Sequence, residues 1–540
     1  MEELATKGKD AVIANLLITL LTGSINDAKR VGIETPTNIL EAIKQRIIML
    51  DADQNRFIYD THSKKRIAIQ GLAGTGKTEL LLHKLYELYM SDENSKVVFT
   101  CFNKVLANEM REKRVPDFFD FMRADKQIEW KKRLWVMRSW GSQLDANSGV
   151  YSYICHAYGF DFSPYRSGIS FGGLCRDLAE KLKGLETFSP CFDYVLIDEG
   201  QDFDEDFFRL CELVSAKQVI IASDIFQNIF SKESQVMTHP DFTLNKVYRT
   251  DPKNFMFAQL LGFGVEERPV INWLDDATWK ACGYDFETDE DGAVYKFTRS
   301  PLRRFDNLKD VKSEPLLIYR KDDMNEKVLE VIQKIIESNP RVTPDDIGIV
   351  FLGTSNKTYN MIDRLSIQIQ NKFTWETQKA YEVKSKSPGS LFISNRNNIK
   401  GLEFPFLICV ADSPISLNLG MRNSMYMALT RSFITSYLIT SSVNEELMSK
   451  YDNLYKQIMD TGVATVRKPN SEDIMDASSK LLQQKDLTQR QVVDKILKQK
   501  GVLDREKQNT LARVVNAIEK DRVDPDSIKR IIESNLESLQ

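Results

Sequence analysis

Arg66-Ile-Ala-Ile-Gln70 is a short apolar β run, followed at once by Gly71-Leu-Ala-Gly-Thr-Gly-Lys77-Thr78 and then by the helical pattern Leu80–Tyr89. A strand, a glycine-rich turn matching G-x-x-x-x-G-K-[ST] and a helix, in that order, make a phosphate cradle. Gly71, Gly74 and Gly76 allow a turn tight enough for its backbone N–H groups, that of Thr75 among them, to point inward beside the positive end of the helix. Lys77 would reach the β- and γ-phosphates of a nucleotide, and the Thr78 hydroxyl would ligate Mg²⁺. A chance glycine-rich turn is the plain alternative.

Such a loop needs a carboxylate on a neighbouring strand end. Tyr194-Val-Leu-Ile-Asp198-Glu199-Gly-Gln201-Asp202 offers one: an apolar strand with two acids at its carboxyl end. Asp198 would join the Mg²⁺ shell, and Glu199 would orient and deprotonate an attacking water. Further short apolar runs read as buried parallel strands: Val97–Cys101, Val219–Ala222, Leu316–Tyr319, Ile347–Leu352, Leu391–Ser394, Phe406–Val410 and Tyr437–Thr440. Strands alternating with helical stretches indicate an α/β fold. Two sets of them, before and after about residue 245, suggest two such domains. Residues 1–49 read as a helical segment, with apolar spacing through Val12–Leu21 and Ile39–Leu50. Past Asn444 no strand-like run is visible, so 445–540 reads as a helical region.

Composition narrows the classes. The 540 residues carry 73 Lys and Arg against 77 Asp and Glu, a net charge of −4, so a nucleic-acid site must be a local groove. At 42% hydrophobic the chain can bury large cores, yet it has no apolar run of about 18 residues. Met1–Asp10 (MEELATKGKD) lacks the pattern of a secretion signal. The seven cysteines form no C-x-x-C pair and the four histidines have no ligand spacing. A cytoplasmic protein with no membrane partner is the expectation.

With DEGQD beside GLAGTGKT, the sequence resembles superfamily 1 helicases of the UvrD/Rep/PcrA type, whose usual acidic motif is DEAQD. The resemblance implies two RecA-like parallel-sheet domains with the phosphate loop in the first, and ATP with Mg²⁺ as cofactors. Other motifs follow in the family's order. Leu50-Asp-Ala-Asp-Gln54 resembles the Q motif, in which Gln54 would read the adenine edge. Phe99-Thr-Cys-Phe-Asn103-Lys104 and Val136-Met-Arg-Ser139-Trp140-Gly resemble motifs Ia and Ib, which line the DNA groove. Ser223-Asp224-Ile-Phe-Gln227 resembles motif III, implying a γ-phosphate sensor in Gln227 and leaving Phe226 and Phe230 as the stacking candidates. Leu244-Asn-Lys-Val-Tyr248-Arg249-Thr resembles motif IV, with Tyr248 stacking on adenine and Arg249 on the γ-phosphate. Lys400-Gly401-Leu-Glu403-Phe404 and Tyr426-Met-Ala-Leu-Thr430-Arg431 resemble motifs V and VI, giving Glu403 as a nucleotide contact and Arg431 as the second arginine. Two arginines from a second domain would make hydrolysis conditional on closure.

On this resemblance the domains are 50–243, with a small insertion at about 111–190, and 244–444, with a small insertion at about 251–310. Several positions depart from the family. Glu79 stands where an arginine usually follows the loop threonine, Ser223 replaces a glycine, Asn397 replaces a histidine, and Ile229-Phe230-Ser231-Lys232 replaces an aromatic-arginine stretch.

Arg111–Arg138 concentrates cations, Lys131, Lys132 and Arg133 among them, with Phe118, Phe119, Trp130 and Trp135. Cations that track phosphates and rings that stack bases suit a sequence-blind single-strand site. Composition alone favours a solvated helix pair with an aromatic core. Position between motifs Ia and Ib, where the family inserts a subdomain, favours the DNA-facing reading. The function this implies is an ATP-dependent helicase or translocase on single-stranded DNA, 3′→5′, with RNA open as an alternative strand. The rival is an ATP- or DNA-sensing regulatory subunit that activates a partner nuclease or effector in anti-phage defence.

Overall fold

The computed structural model describes residues 40, 52–59, 63–122, 127–164, 170–224, 240–244, 247, 250–299, 314–382, 389–396, 403–415, 419–475, 489–502, 504–519 and 525–536. The helical expectation for 1–49 therefore lies outside the described residues, Leu40 apart. The described residues divide into two compact units, one up to about residue 248 and one from 249 onward. None of their helices is long and apolar enough to cross a membrane.

The first unit is built on a six-stranded parallel sheet. Its strands are β1 (Arg66–Gly71), β2 (Val97–Cys101), β3 (Leu134–Arg138), β4 (Phe192–Ile197), β5 (Ser215–Asp224) and β6 (Phe242–Leu244), in the order β3-β2-β4-β5-β1-β6. Every pair is parallel. β2 is buried at all five positions, which is why it reads as an unbroken apolar run with no alternation. Two layers cover the faces: Leu80, Leu81, Phe118 and Phe119 pack on one side, and Tyr151, Leu178, Phe207 and Phe208 on the other. Helix α1 (Ala52–Tyr59) precedes β1, and helix α2 (Lys77–Ser91) follows the loop that leaves it.

The second unit repeats the plan. Strands β9 (Leu316–Arg320), β10 (Ile347–Phe351), β11 (Glu376–Lys379), β12 (Ser390–Asn395), β13 (Phe404–Ala411) and β14 (Ser432–Thr440) pair in parallel in the order β11-β12-β10-β13-β14-β9. Helix α3 (Asn356–Phe373) follows β10. The two α/β domains expected from the strand runs are thus present as two six-stranded parallel sheets.

The reading of 445–540 as purely helical needs correction. A strand, β15 (Ala464–Arg467), pairs antiparallel with β8 (Val294–Thr298), which pairs in turn with β7 (Asp285–Thr288). Ala464 and Val466 face inward while Thr465 and Arg467 do not, and four residues are too few for that alternation to register. The helix Glu445–Thr461 is likewise part of the second unit. Its Tyr451 hydroxyl donates to Glu267 Oε1 at 2.7 Å, and Glu267 also pairs with the fully buried Arg422 at 2.7 Å. Among the described residues, Gln489–Gln499, Arg505–Glu519 and Pro525–Leu536 form a helical end, around Val493, Leu497, Leu511, Val515 and Ile528.

Candidate active site

The carboxyl edge of the first sheet gathers the loop and the acids. Gly71, at the end of β1, is level with Asp224 on β5 and Leu244 on β6, and Ile197 on β4 is level with Ile221 on β5. Asp198 and Asp224 therefore leave the same edge as Gly71, Asp224 from the neighbouring strand and Asp198 from the strand beyond it. A Cβ on Gly71 would come 2.6 Å from Thr75 Oγ1 and 3.0 Å from Leu244 Cβ, so the position tolerates no side chain. Gly74 and Gly76 take φ of 79° and 86°, which L side chains resist. The turn closes through Thr75, whose N–H and hydroxyl both donate to the Leu72 carbonyl, at 3.3 and 2.9 Å.

Lys77 opens α2 and is buried, 8% exposed. A buried ammonium must be satisfied. It donates to the carbonyls of Gly71 (3.0 Å) and Leu72 (2.8 Å) and lies 3.5 Å from Asp224 Oδ2. Thr78 Oγ1 donates to Asp198 Oδ2 at 2.8 Å, and Asp198 Oδ1 accepts the Glu199 N–H at 2.9 Å. Asp198 is completely buried. Burial, with the Glu199 charge adding to it, pushes its carboxyl up to about 6; the Thr78 hydroxyl, the Glu199 N–H and Lys77 pull the other way. Among the described residues no three His, Cys, Asp or Glu side chains cluster as a metal site. Thr78 and Asp198 fit Mg²⁺, which is held by few protein ligands and completes its shell with phosphate oxygens and water.

Glu199 sits in the left-handed region at φ 52°, ψ 47°. For a residue with a Cβ this costs on the order of 1 kcal/mol, and such positions cluster at functional sites. The turn that follows is pressed onto β5. A Cβ on Gly200 would come 2.4 Å from Ser223 Oγ and 2.6 Å from Ile221 Cγ2. The resembling motifs have alanine at the first of these positions and glycine at the second; here the small and the larger residue have changed places. Gln201, which carries no role in the sequence reading, donates from Nε2 to Glu199 Oε2 and accepts the Asp224 N–H at Oε1, 2.9 Å away. Gln54, buried on α1, donates to the Thr75 carbonyl at 3.2 Å and so lies against the loop. Glu79, in the first turn of α2, is 3.5 Å from an Arg114 guanidinium nitrogen and 3.9 Å from His83 Nε2.

The nucleic-acid candidates divide. Asn103, Lys104, Ser139 and Trp140 follow β2 and β3 at the same carboxyl edge. Asn103 caps a helix, accepting from Val105 N and Leu106 N. Ser139 is buried, and Trp140 packs on Phe171 with ring centroids 4.9 Å apart. Phe102, which the motif reading passed over, is 45% exposed beside them. Lys131 and Lys132 precede β3 and so lie at the opposite, amino edge. Arg133 is internal: it donates to the carbonyls of Tyr89 (2.7 Å) and Asp92 (2.6 Å), finishing α2, with its guanidinium 4.0 Å from the Tyr89 ring centroid. Phe118 and Phe119 belong to the core. The basic-aromatic segment is not one surface.

In the second unit Glu403 is exposed just before β13, and Arg431, buried, precedes β14; the Phe404 N–H donates to the Arg431 carbonyl at 3.0 Å. Phe226, Gln227, Tyr248, Arg249, Lys400 and Gly401 lie outside the described residues. A scan against protein-family models finds no match for the chain, and no curated protein matches it significantly.

Proposed function

We propose that the chain is an ATP-dependent translocase of the superfamily 1 helicase type, hydrolysing ATP on single-stranded DNA in the 3′→5′ sense the resemblance implies. One observation carries the reading. The Thr78 hydroxyl lies 2.8 Å from a fully buried Asp198, beside a Lys77 whose ammonium is held inside a glycine-rich turn at the carboxyl edge of a parallel sheet. A phosphate chain entering that turn would exchange the two carbonyls on Lys77 for β- and γ-oxygens. Bound Mg²⁺ supplies neutralisation of the charge that grows on those oxygens. Glu199 orients the attacking water and takes its proton. Gln227, Tyr248, Arg249, Glu403 and Arg431 enter through the resemblance alone. Phe102, Lys104 and Trp140 are the groups best disposed for a strand, and RNA could use the same rings and cation.

A second reading, a sensing subunit that activates a nuclease or effector in anti-phage defence, is favoured by the split of the basic segment. Its Lys131 and Lys132 lie at the edge away from the loop and its Arg133 is internal, which leaves fewer contacts to couple hydrolysis to a strand. Both readings are of a cytoplasmic protein. The deciding measurement is the ATPase rate with and without single-stranded DNA, alongside displacement of a tailed duplex. Stimulation with strand displacement supports the translocase; stimulation without displacement supports the sensor. A rate at buffer background with any strand would refute both.

A further inference from the structure

We propose that Gln201 is a positioning residue: its side-chain amide holds the Glu199 carboxylate for the attacking water and ties it to the end of β5. The inference rests on the ATPase reading above.

Gln201 lies in the single 3₁₀ turn Gly200–Asp202 directly after Glu199. Its Nε2 donates to Glu199 Oε2, and its Oε1 accepts the Asp224 N–H at 2.9 Å. One amide therefore uses its donor end on the acid and its acceptor end on a strand. The backbone around Glu199 is tightly determined, by the left-handed φ of 52° and by Gly200 packed so that a Cβ would come 2.4 Å from Ser223 Oγ. That determines where the side chain starts, not where its oxygens end, because three χ torsions intervene. A general base must keep its oxygen within hydrogen-bond reach of the water, and a misplacement of about 1 Å can cost on the order of a hundredfold. The Gln201 amide holds one of those oxygens directly. It also reaches the strand whose last carboxylate, Asp224, lies 3.5 Å from Lys77 Nζ, so the acid on the water side and the cation on the phosphate side share one support.

The two bonds ask for a side chain that both donates and accepts at one end. A glutamate at 201 would still accept from the Asp224 N–H but would set a like charge against Glu199. That asymmetry separates positioning of the acid from mere tethering of the turn. The test is steady-state ATPase kinetics of the full chain with Gln201→Glu, Gln201→Ala, Glu199→Gln and the double variant Gln201→Ala/Glu199→Gln, together with fluorescent-ATP titrations and thermal melts. Both Gln201 substitutions should lower kcat about tenfold or more. KM and nucleotide affinity should stay within about threefold. The double variant should turn over no more slowly than Glu199→Gln alone. A Gln201→Glu protein with the parent's kcat, or losses that multiply in the double variant, would overturn the inference while leaving the ATPase reading standing. A parent chain without ATP turnover would overturn both.

Discussion

Two turns in this molecule share a local plan and end differently. In the first unit β1 runs into Gly71–Thr78 and α2; in the second, β10 runs into Leu352-Gly-Thr-Ser-Asn-Lys357-Thr358 and α3. In each, a threonine hydroxyl in the helix's first turn donates to an aspartate that follows another parallel strand, Thr78 to Asp198 and Thr358 to Asp412. The lysines differ. Lys77 is buried against the loop's own carbonyls, whereas Lys357 is exposed. The carboxylates differ too: Asp412 also accepts the Gly353 N–H, at 2.7 Å, and a Cβ on Gly353 would meet its Oδ2 at 2.3 Å. Strand order explains this. β10 and β13 are neighbours, while β5 stands between β1 and β4. Adjacent strands are about 4.8 Å apart, so the intervening strand moves the acid's strand to about 10 Å from the loop's strand. In the second unit the protein's own carboxylate fills the turn. In the first, the acid on the farther strand meets the Thr78 hydroxyl and the Glu199 N–H instead, and the Lys77 ammonium packs on the turn's carbonyls.

The largest effect should separate the two lysines. Lys77→Ala is expected to abolish ATP hydrolysis, because no other cation in the loop can neutralise the β,γ-oxygens, while Lys357→Ala should leave the rate within about twofold. Equal losses in an ATPase assay would break the comparison. Glu199→Gln should bind ATP yet lose turnover by about two orders of magnitude or more; a rate within a few-fold of the parent would remove Glu199 from its assignment.

A smaller effect sharpens the packing behind the first turn. Gly200→Ala should cost about 1–3 kcal/mol through overpacking against Ser223 and Ile221, and Ser223→Gly added to it should recover the Ser223 share of that loss. Chemical denaturation of the two single variants and the double reads the coupling directly, and strictly additive losses would contradict it. In the second unit, Asp412→Ala leaves the Gly353 N–H and Thr358 hydroxyl without their acceptor. It should cost about 1–3 kcal/mol of stability and leave nucleotide affinity unchanged. A fall in affinity would mean the second turn takes part in binding.

The smallest effect concerns pH. Burial holds the His83 imidazole below its usual range, against the opposing pull of Glu79. Its folded pKa is depressed, so the unfolded chain binds the proton more readily. The neutral ring's contribution to stability is complete above the ordinary histidine value of about 6.5 and is lost as pH falls toward the lower folded value. Melting temperature should decline from pH 7 to pH 5 less steeply in His83→Gln than in the parent. Identical slopes would show that burial at this ring has no titration consequence.

Much of the architecture is legible without coordinates. Nine strands announce themselves as apolar runs, most of them because strands buried on both faces need apolar residues throughout. Other strands escape notice, each for its own reason. β11 is Glu-Thr-Gln-Lys, polar because it is an edge, and β6 has only three residues. β3, Leu-Trp-Val-Met-Arg, directly follows basic and aromatic residues that read together with it as one helical surface.

The same division runs through the site. The loop, its strand and its helix are local, and residue types in order suffice to specify them: glycines where φ is positive, a lysine and a threonine at the helix start. Asp198 and Glu199 are legible for the same reason, as acids at the end of an apolar run. Long-range pairing decided the rest. That Arg133 finishes α2, that Gln201 joins Glu199 to β5, that Gly200 and Ser223 share one space, and that Asp412 fills the second turn all depend on which strand lies beside which. A residue's type limits what it can bond, but only the packed fold brings a donor to its acceptor across tens of residues of chain. The local chemistry of the glycine-rich turn was therefore set by sequence order, and its difference from the second turn by the one strand between β1 and β4.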